Sequence, residues 1–110
     1  RTRDILSADL FRHLPQGAKL LNVGRGGHLV EADLLDALES GRISTAILDV
    51  LREEPPPPGH PLLGHPRILV TPHSASASQP DDAARQMIEA VRAAEAGEAI
   101  PNLVDRSRFL

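Results

Sequence analysis

Three short apolar segments alternate with helical and proline-rich segments, and this alternation constrains the fold of the chain more than any other feature. The apolar segments cover residues 19–23, 45–51 and 67–71, and they read as strands. Residues 31–40 place leucines on one helical face, and Gly41 follows where helices commonly end. Strand, helix and strand in this order predict a parallel sheet, because a parallel connection needs a long crossover. Continuous apolar strands also indicate that both faces of the sheet are covered.

Helices at both ends complete the predicted architecture. A short helix is expected to begin at Ser7, whose side chain can cap it, and to end near Leu14. A long helix is expected to begin near Pro80 and to end around Gly97. The predicted fold class is therefore α/β, an open parallel sheet with flanking helices.

The composition excludes several classes of function. The chain has 110 residues, a net charge of −3, two Phe and no Trp or Tyr, which argues against a domain that stacks nucleic-acid bases on aromatic side chains. It has no Cys, which excludes disulfides, thiolate catalysis and cysteine-ligated zinc. No apolar run approaches the length of a membrane span, and the composition suits a cytoplasmic protein.

Ionisable residues follow each predicted strand. Arg25 follows the first strand, Asp49 lies near the end of the second with Glu54 just beyond it, and His73 follows the third. Because binding sites in open parallel sheets lie beyond the carboxyl ends of the strands, we expect these side chains to converge. A guanidinium, a carboxylate and an imidazole around one small molecule predict an acid–base site.

Four motifs resemble one family in their order and spacing. They are Asn-Val-Gly-Arg-Gly-Gly at 22–27, Ala-Ile-Leu-Asp-Val at 46–50, Glu-Pro at 54–55 and Thr-Pro-His-Ser-Ala at 71–75. Together they resemble the D-isomer-specific 2-hydroxyacid dehydrogenases. Residues 20–31 and 104–106 look most similar to the glyoxylate/hydroxypyruvate reductase A branch.

The resemblance implies an oxidoreductase that reduces a small 2-keto acid to the D-2-hydroxy acid with NAD(P)H, NADPH being slightly favoured. It implies that residues 1–79 are the carboxyl-terminal half of a Rossmann-type dinucleotide-binding domain. Residues 80–110 would be a helix and tail that return to the substrate domain. The complete enzyme is expected to be a cytoplasmic homodimer that binds neither nucleic acid nor membrane.

The resemblance also assigns catalytic roles. Arg25 would bind the substrate carboxylate, His73 would act as general acid, and Glu54 would orient the His73 ring. Glu53 is the rival to Glu54, but the family places the paired carboxylate directly before the proline. Two alternatives remain open: Arg25 could bond the carbonyls of its own glycine-rich turn, and His73 could bond the backbone of its loop.

Further residues are expected to line the cofactor. By the resemblance, Asp49 would meet the nicotinamide end, together with Val23, Gly24 and Arg25 and the turn formed by His73, Ser74, Ala75 and Ser76. The alternative for Asp49 is a carboxylate that caps nearby backbone N–H groups.

The cofactor site is incomplete in this sequence. There is no Gly-x-Gly-x-x-Gly motif to hold a pyrophosphate, so we expect the isolated chain to be inactive and further residues to precede it. His60 and His65 lie near His73, but without supporting carboxylates we predict no metal site. The alternatives from other classes are a non-catalytic assembly module and a corepressor-like protein that binds dinucleotide and protein partners.

Overall fold

The computed structural model describes residues 2–76 and 79–108. Each of these two stretches makes most of its contacts within itself, so the chain consists of two units. The elements of the first unit are α1 (Ala8–Phe11), β1 (Ala18–Asn22), α2 (Glu31–Glu39), β2 (Ile43–Leu48) and β3 (Ile68–Val70). The second unit contains α3 (Pro80–Ala96). Short 3-10 helices cover Gly26–His28 and Arg106–Arg108.

The described strands form a parallel three-stranded sheet in the order β1-β2-β3, which confirms the predicted fold class. Asn22 lies opposite Leu48, and Leu48 lies opposite Val70, so the three strands end at the same edge. β2 ends at Leu48, earlier than the sequence predicts, and the Leu51 N–H bonds the Glu54 carboxylate rather than a neighbouring strand. The loops that follow the three strands therefore begin at the same edge of the sheet.

One face of the sheet carries the hydrophobic core. Ala46 and Leu48 point to this face and are fully buried. Leu34 and Leu38 of α2 pack into the same core, as their spacing of four residues predicts for one helical face. α2 ends as expected, with Gly41 in the left-handed conformation at φ 71°.

The opposite face of the sheet is exposed within this unit, which differs from the prediction that both faces are covered. Leu21, Ile47 and Leu69 lie side by side in register across the three strands and are exposed by 62%, 39% and 56%. The strands are continuously apolar, as predicted. However, α2 packs against the core face of the sheet and leaves the opposite face exposed within this unit.

The start of α1 differs from the prediction. Ser7 is the residue before the helix, but its side chain makes no capping bond. Asp33 of α2 accepts the free Ala8 N–H instead, at 2.6 Å. The helix also stops at Phe11 rather than near Leu14. A capping carboxylate supplied by another helix cannot be read from the local sequence.

The second unit is dominated by α3, which begins at Pro80 and is closed by Gly97 at φ 68°, as predicted. Its apolar stripe of Met87, Ile88 and Val91 is exposed. None of the described helices combines the length and the apolar character needed to cross a membrane.

Candidate functional site

Glu54 and His73 form a hydrogen-bonded pair beyond the ends of β2 and β3. The His73 Nδ1 atom lies 2.7 Å from Glu54 Oε2, and the Leu51 N–H donates to Glu54 Oε1 at 2.8 Å. Hydrogen bonds from the His73 ring and then from the Leu51 N–H hold the pKa of Glu54 below its usual value. Because an ionised carboxylate only accepts, the proton on this side of the ring belongs to Nδ1. The Nε2 atom is thereby left for another partner.

The backbone around His73 is fixed in an unusual conformation. His73 has φ 51°, in the left-handed region that is uncommon for residues other than glycine, although asparagine, aspartate and histidine enter it more often than most. Its N–H bonds the Thr71 carbonyl oxygen at 3.0 Å. A strained backbone persists only where the surroundings hold it, and here it turns the ring toward Glu54. The alternative for His73, a ring bonded to its own loop backbone, is not the arrangement that the structure shows.

Asp49 holds the loop that carries His73. It is 4% exposed, and its Oδ1 accepts the Thr71 hydroxyl and the Ser74 N–H. Its Oδ2 accepts the Ala75 N–H at 2.9 Å. The Thr71 hydroxyl first, and then the Ala75 N–H, lower the pKa of Asp49. The structure therefore shows the capping alternative, and contact with a nicotinamide stays a prediction.

These bonds predict an acid-sensitive contribution to stability. Since the folded-state pKa of Asp49 lies below the ordinary value of about 3.9, its stabilising effect is complete above that pH and is lost as pH falls through the lowered pKa. Asp49→Asn should reduce the free energy of unfolding at pH 7 and have little effect at strongly acidic pH. Urea unfolding at both extremes, with the exposed Asp36→Asn as control, measures this. An Asp49→Asn deficit that is equal at both pH values would contradict it.

Arg25 lies in the turn that follows β1. Its guanidinium is exposed, and Nη1 donates to the Gly24 carbonyl oxygen at 2.7 Å. This is the contact that the sequence left open as the alternative, so binding of a substrate carboxylate stays a prediction. The turn packs backbone to backbone against the chain that leads to Glu54, since a Cβ on Gly26 would lie 1.8 Å from the Leu51 carbonyl oxygen. The Arg25 turn and the Glu54 loop are thus in direct contact.

A cavity of about 400 Å³ opens beside the acid–base pair. Asp49, Glu54, Thr71 and His73 are the polar residues that line it, and prolines and aliphatic side chains form the rest of the wall. Arg25 is not among the residues that line it. The structure therefore brings Glu54, His73 and Asp49 together and places Arg25 at a neighbouring strand end.

The residues present fit one end of the predicted dinucleotide. Val23 is exposed directly after β1, where an aromatic ring can pack, and the exposed Ser74 and Ser76 offer hydroxyl groups. The N–H groups of Ser74 and Ala75 are already committed to Asp49. The donor set thus suits a nicotinamide amide and ribose. The sequence has no Gly-x-Gly-x-x-Gly motif to hold a pyrophosphate.

A histidine–glutamate pair outside the site holds the loop that leads to Glu54. His60 Nε2 lies 3.3 Å from Glu31 Oε2, and Glu31 Oε1 accepts the Arg52 N–H at 3.0 Å. Nothing in the local sequence indicates this pair, because Glu31 begins α2 and His60 lies in the proline-rich connector. Within the described residues, no group of three or more His, Asp or Glu side chains is arranged to hold a metal ion.

Two positioning features were also missed by sequence reasoning. Asn22 is buried at the end of β1, and Gly26 makes the close approach to Leu51. A polar residue that ends an otherwise apolar strand is a signal for the first. The glycine directly after Arg25 is a signal for the second.

Known proteins with a similar sequence and fold indicate the family of the chain. Residues 1–75 match the family model described as D-isomer specific 2-hydroxyacid dehydrogenase, NAD binding domain. A D-isomer specific 2-hydroxyacid dehydrogenase from Xanthobacter autotrophicus Py2, solved with NADPH and MES, is 48% identical with a TM-score of 0.91, over 99% of this chain and 45% of that one. A family protein from Klebsiella pneumoniae 342 is 47% identical with a TM-score of 0.84, over 96% of this chain and 34% of that one.

A third solved structure is the NADPH-dependent glyoxylate/hydroxypyruvate reductase from Sinorhizobium meliloti in complex with NADP and sulfate. It is 37% identical with a TM-score of 0.82, over 96% of this chain and 35% of that one. The chain thus spans less than half the length of these structures. The resemblance that its motifs suggested is confirmed: residues 1–75 match the NAD-binding domain of the D-isomer specific 2-hydroxyacid dehydrogenases, and the chain belongs to this family.

Proposed function

We propose that these residues form the acid–base half of a reductase that converts a small 2-keto acid to the D-2-hydroxy acid, with hydride supplied by NAD(P)H. The observation that carries this proposal is the pair of Glu54 and His73 beside a cavity at the strand ends. Because the chain spans 45% of the Xanthobacter structure, we propose this activity for the complete protein.

The protonated His73 ring performs the acid step. Reduction of a ketone needs hydride at carbon and a proton at oxygen, and His73 Nε2 donates that proton while Glu54 stabilises the charge on the ring. When bound, the nicotinamide supplies the hydride. After the transfer the ring is neutral and takes its next proton from water.

Arg25 binds the substrate carboxylate in this proposal. Its exposed guanidinium bonds the Gly24 carbonyl oxygen, and a carboxylate can replace that contact with two charge-assisted bonds. The planar fork binds both carboxylate oxygens at once, which a lysine cannot do. The substrate would therefore lie between the ends of β1 and β3.

The finer assignments rest on the relatives. The Sinorhizobium protein is a glyoxylate/hydroxypyruvate reductase, and it was solved with NADP, while the Xanthobacter protein was solved with NADPH. These names support glyoxylate or hydroxypyruvate as substrate and NADPH as the preferred cofactor. We also propose that the complete enzyme is a cytoplasmic homodimer, which light scattering and fractionation of cells would test.

Substitution of Arg25 tests the proposed function. In the complete enzyme, Arg25→Ala should lower kcat/KM for glyoxylate and hydroxypyruvate by about 10- to 100-fold, because charge-assisted hydrogen bonds are lost. NADPH binding, measured by fluorescence, should hardly change. Arg12→Ala, which removes an exposed arginine directly after α1, is the control. Absence of keto-acid reduction by the wild-type enzyme would refute the proposal, as would an Arg25→Ala enzyme with unchanged kinetics.

A further inference from the structure

The described chain buries two polar or charged side chains, Asn22 and Asp49. The bonds of Asp49 to the loop at residues 71–75 account for its burial. Asn22 is 4% exposed and lies at the end of β1, where an apolar residue would continue the strand pattern. Since a buried amide is costly unless it is bonded, the partners of Asn22 indicate why an amide is present.

Both bonds of the Asn22 side chain go to the turn that carries Arg25. Its Oδ1 accepts the Gly24 N–H at 3.1 Å, and its Nδ2 donates to the Arg25 carbonyl oxygen at 3.2 Å. The His28 N–H donates to that same Arg25 oxygen at 3.1 Å. The backbone on both sides of the Arg25 Cα is therefore fixed. This fixes the position and direction from which the Arg25 side chain extends.

The end of the strand does not need this side chain. The backbone carbonyl oxygen of Asn22 already accepts the Asp49 N–H at 3.0 Å and continues the sheet. An apolar residue could make that backbone bond equally well. The side-chain amide thus bonds the turn and makes no contribution to the pairing of the strands.

We propose that Asn22 is a positioning residue that acts through Arg25 and thereby sets the affinity for the substrate carboxylate. This inference rests on the proposed function, in which Arg25 binds that carboxylate. A shift of the guanidinium by about 1 Å would cost as much as 100-fold in rate, so the effect is large enough to measure.

A double-mutant cycle in the complete enzyme tests the inference. Asn22→Ala should lower kcat/KM for hydroxypyruvate by about 10- to 100-fold, chiefly through a higher KM, and should leave NADPH affinity within about threefold. In an Arg25→Ala background the same substitution should cost less than about threefold, because the residue through which it acts is gone. Leu20→Ala, which removes core packing from the same strand, controls for loss of stability and should leave the KM unchanged.

A second substitution at the same position keeps the test decisive if Asn22→Ala does not fold. Asn22→Ser keeps a side-chain oxygen that can accept the Gly24 N–H but lacks the amide N–H that donates to the Arg25 carbonyl oxygen, so we expect an intermediate rise in KM. Additive effects of the Asn22 and Arg25 substitutions would overturn the inference and leave the proposed function intact. If neither Asn22 variant folds, the residue serves folding and the inference is wrong. If Arg25→Ala itself leaves kinetics unchanged, the proposed function fails and the inference falls with it.

Discussion

Gly26→Ala should destroy both the stability of the first unit and the activity of the complete enzyme. A Cβ at this position would lie 1.8 Å from the Leu51 carbonyl oxygen, 2.1 Å from its carbonyl carbon and 2.6 Å from the Arg52 nitrogen. All three atoms belong to the backbone, so no side chain can rotate to make room. Overpacking of this kind costs about 3 kcal/mol or more, and any relief must move the chain that leads to Glu54.

Gly27→Ala is the matched control, because a Cβ there meets nothing within 4 Å. Urea unfolding and hydroxypyruvate reduction by the two variants should differ sharply: Gly27→Ala stays close to wild type, and Gly26→Ala loses most of its stability and turnover. If the two variants behave alike, the contact between the Arg25 turn and the Glu54 loop is not as close as the structure describes.

His73→Asn should slow the chemical step by about 100- to 10,000-fold, the usual contribution of a general acid. Asparagine is the appropriate replacement, because it tolerates the left-handed backbone at φ 51° and yet has no proton to give. Single-turnover oxidation of bound NADPH by hydroxypyruvate measures this step directly. NADPH affinity should change little, since in the proposed mechanism the ring acts on the ketone.

His65→Asn provides the control for this substitution. Its ring nitrogen Nδ1 accepts the Arg67 N–H at 3.2 Å, away from the Glu54–His73 pair. We expect its single-turnover rate to match the wild type. A His73→Asn enzyme that keeps a rate within a few-fold of wild type would show that another group delivers the proton.

Much of the fold followed from apolar periodicity. The parallel order, α2 with its closing Gly41, and α3 with its closing Gly97 were all predicted, because hydrophobic spacing and glycine at helix ends are local signals. The pairing of Glu54 with His73 was also predicted, since parallel strands end at one edge and the motif fixed which glutamate is involved.

Other contacts join residues that lie far apart along the chain, and no local sequence pattern predicts them. The cap of α1 comes from Asp33 on another helix, and the need for Gly26 comes from a backbone segment 25 residues later in the chain. The sequence left two possibilities open for Asp49 and for Arg25. In both cases the structure shows a bond to backbone: Arg25 bonds the carbonyl oxygen of its neighbour Gly24, and Asp49 bonds N–H groups of the loop that follows β3, which the pairing of β2 with β3 brings close.

The most direct test of the account is a crystal structure of the complete enzyme with NADPH and oxamate, an unreactive analogue of a 2-keto acid. We predict that His73 Nε2 lies within hydrogen-bond distance of the oxamate amide carbonyl oxygen, with Glu54 still on Nδ1. We also predict that the Arg25 guanidinium leaves the Gly24 carbonyl and binds the oxamate carboxylate through both of its oxygens. An oxamate bound away from His73, or an Arg25 that remains on Gly24 while other residues hold the carboxylate, would contradict the account.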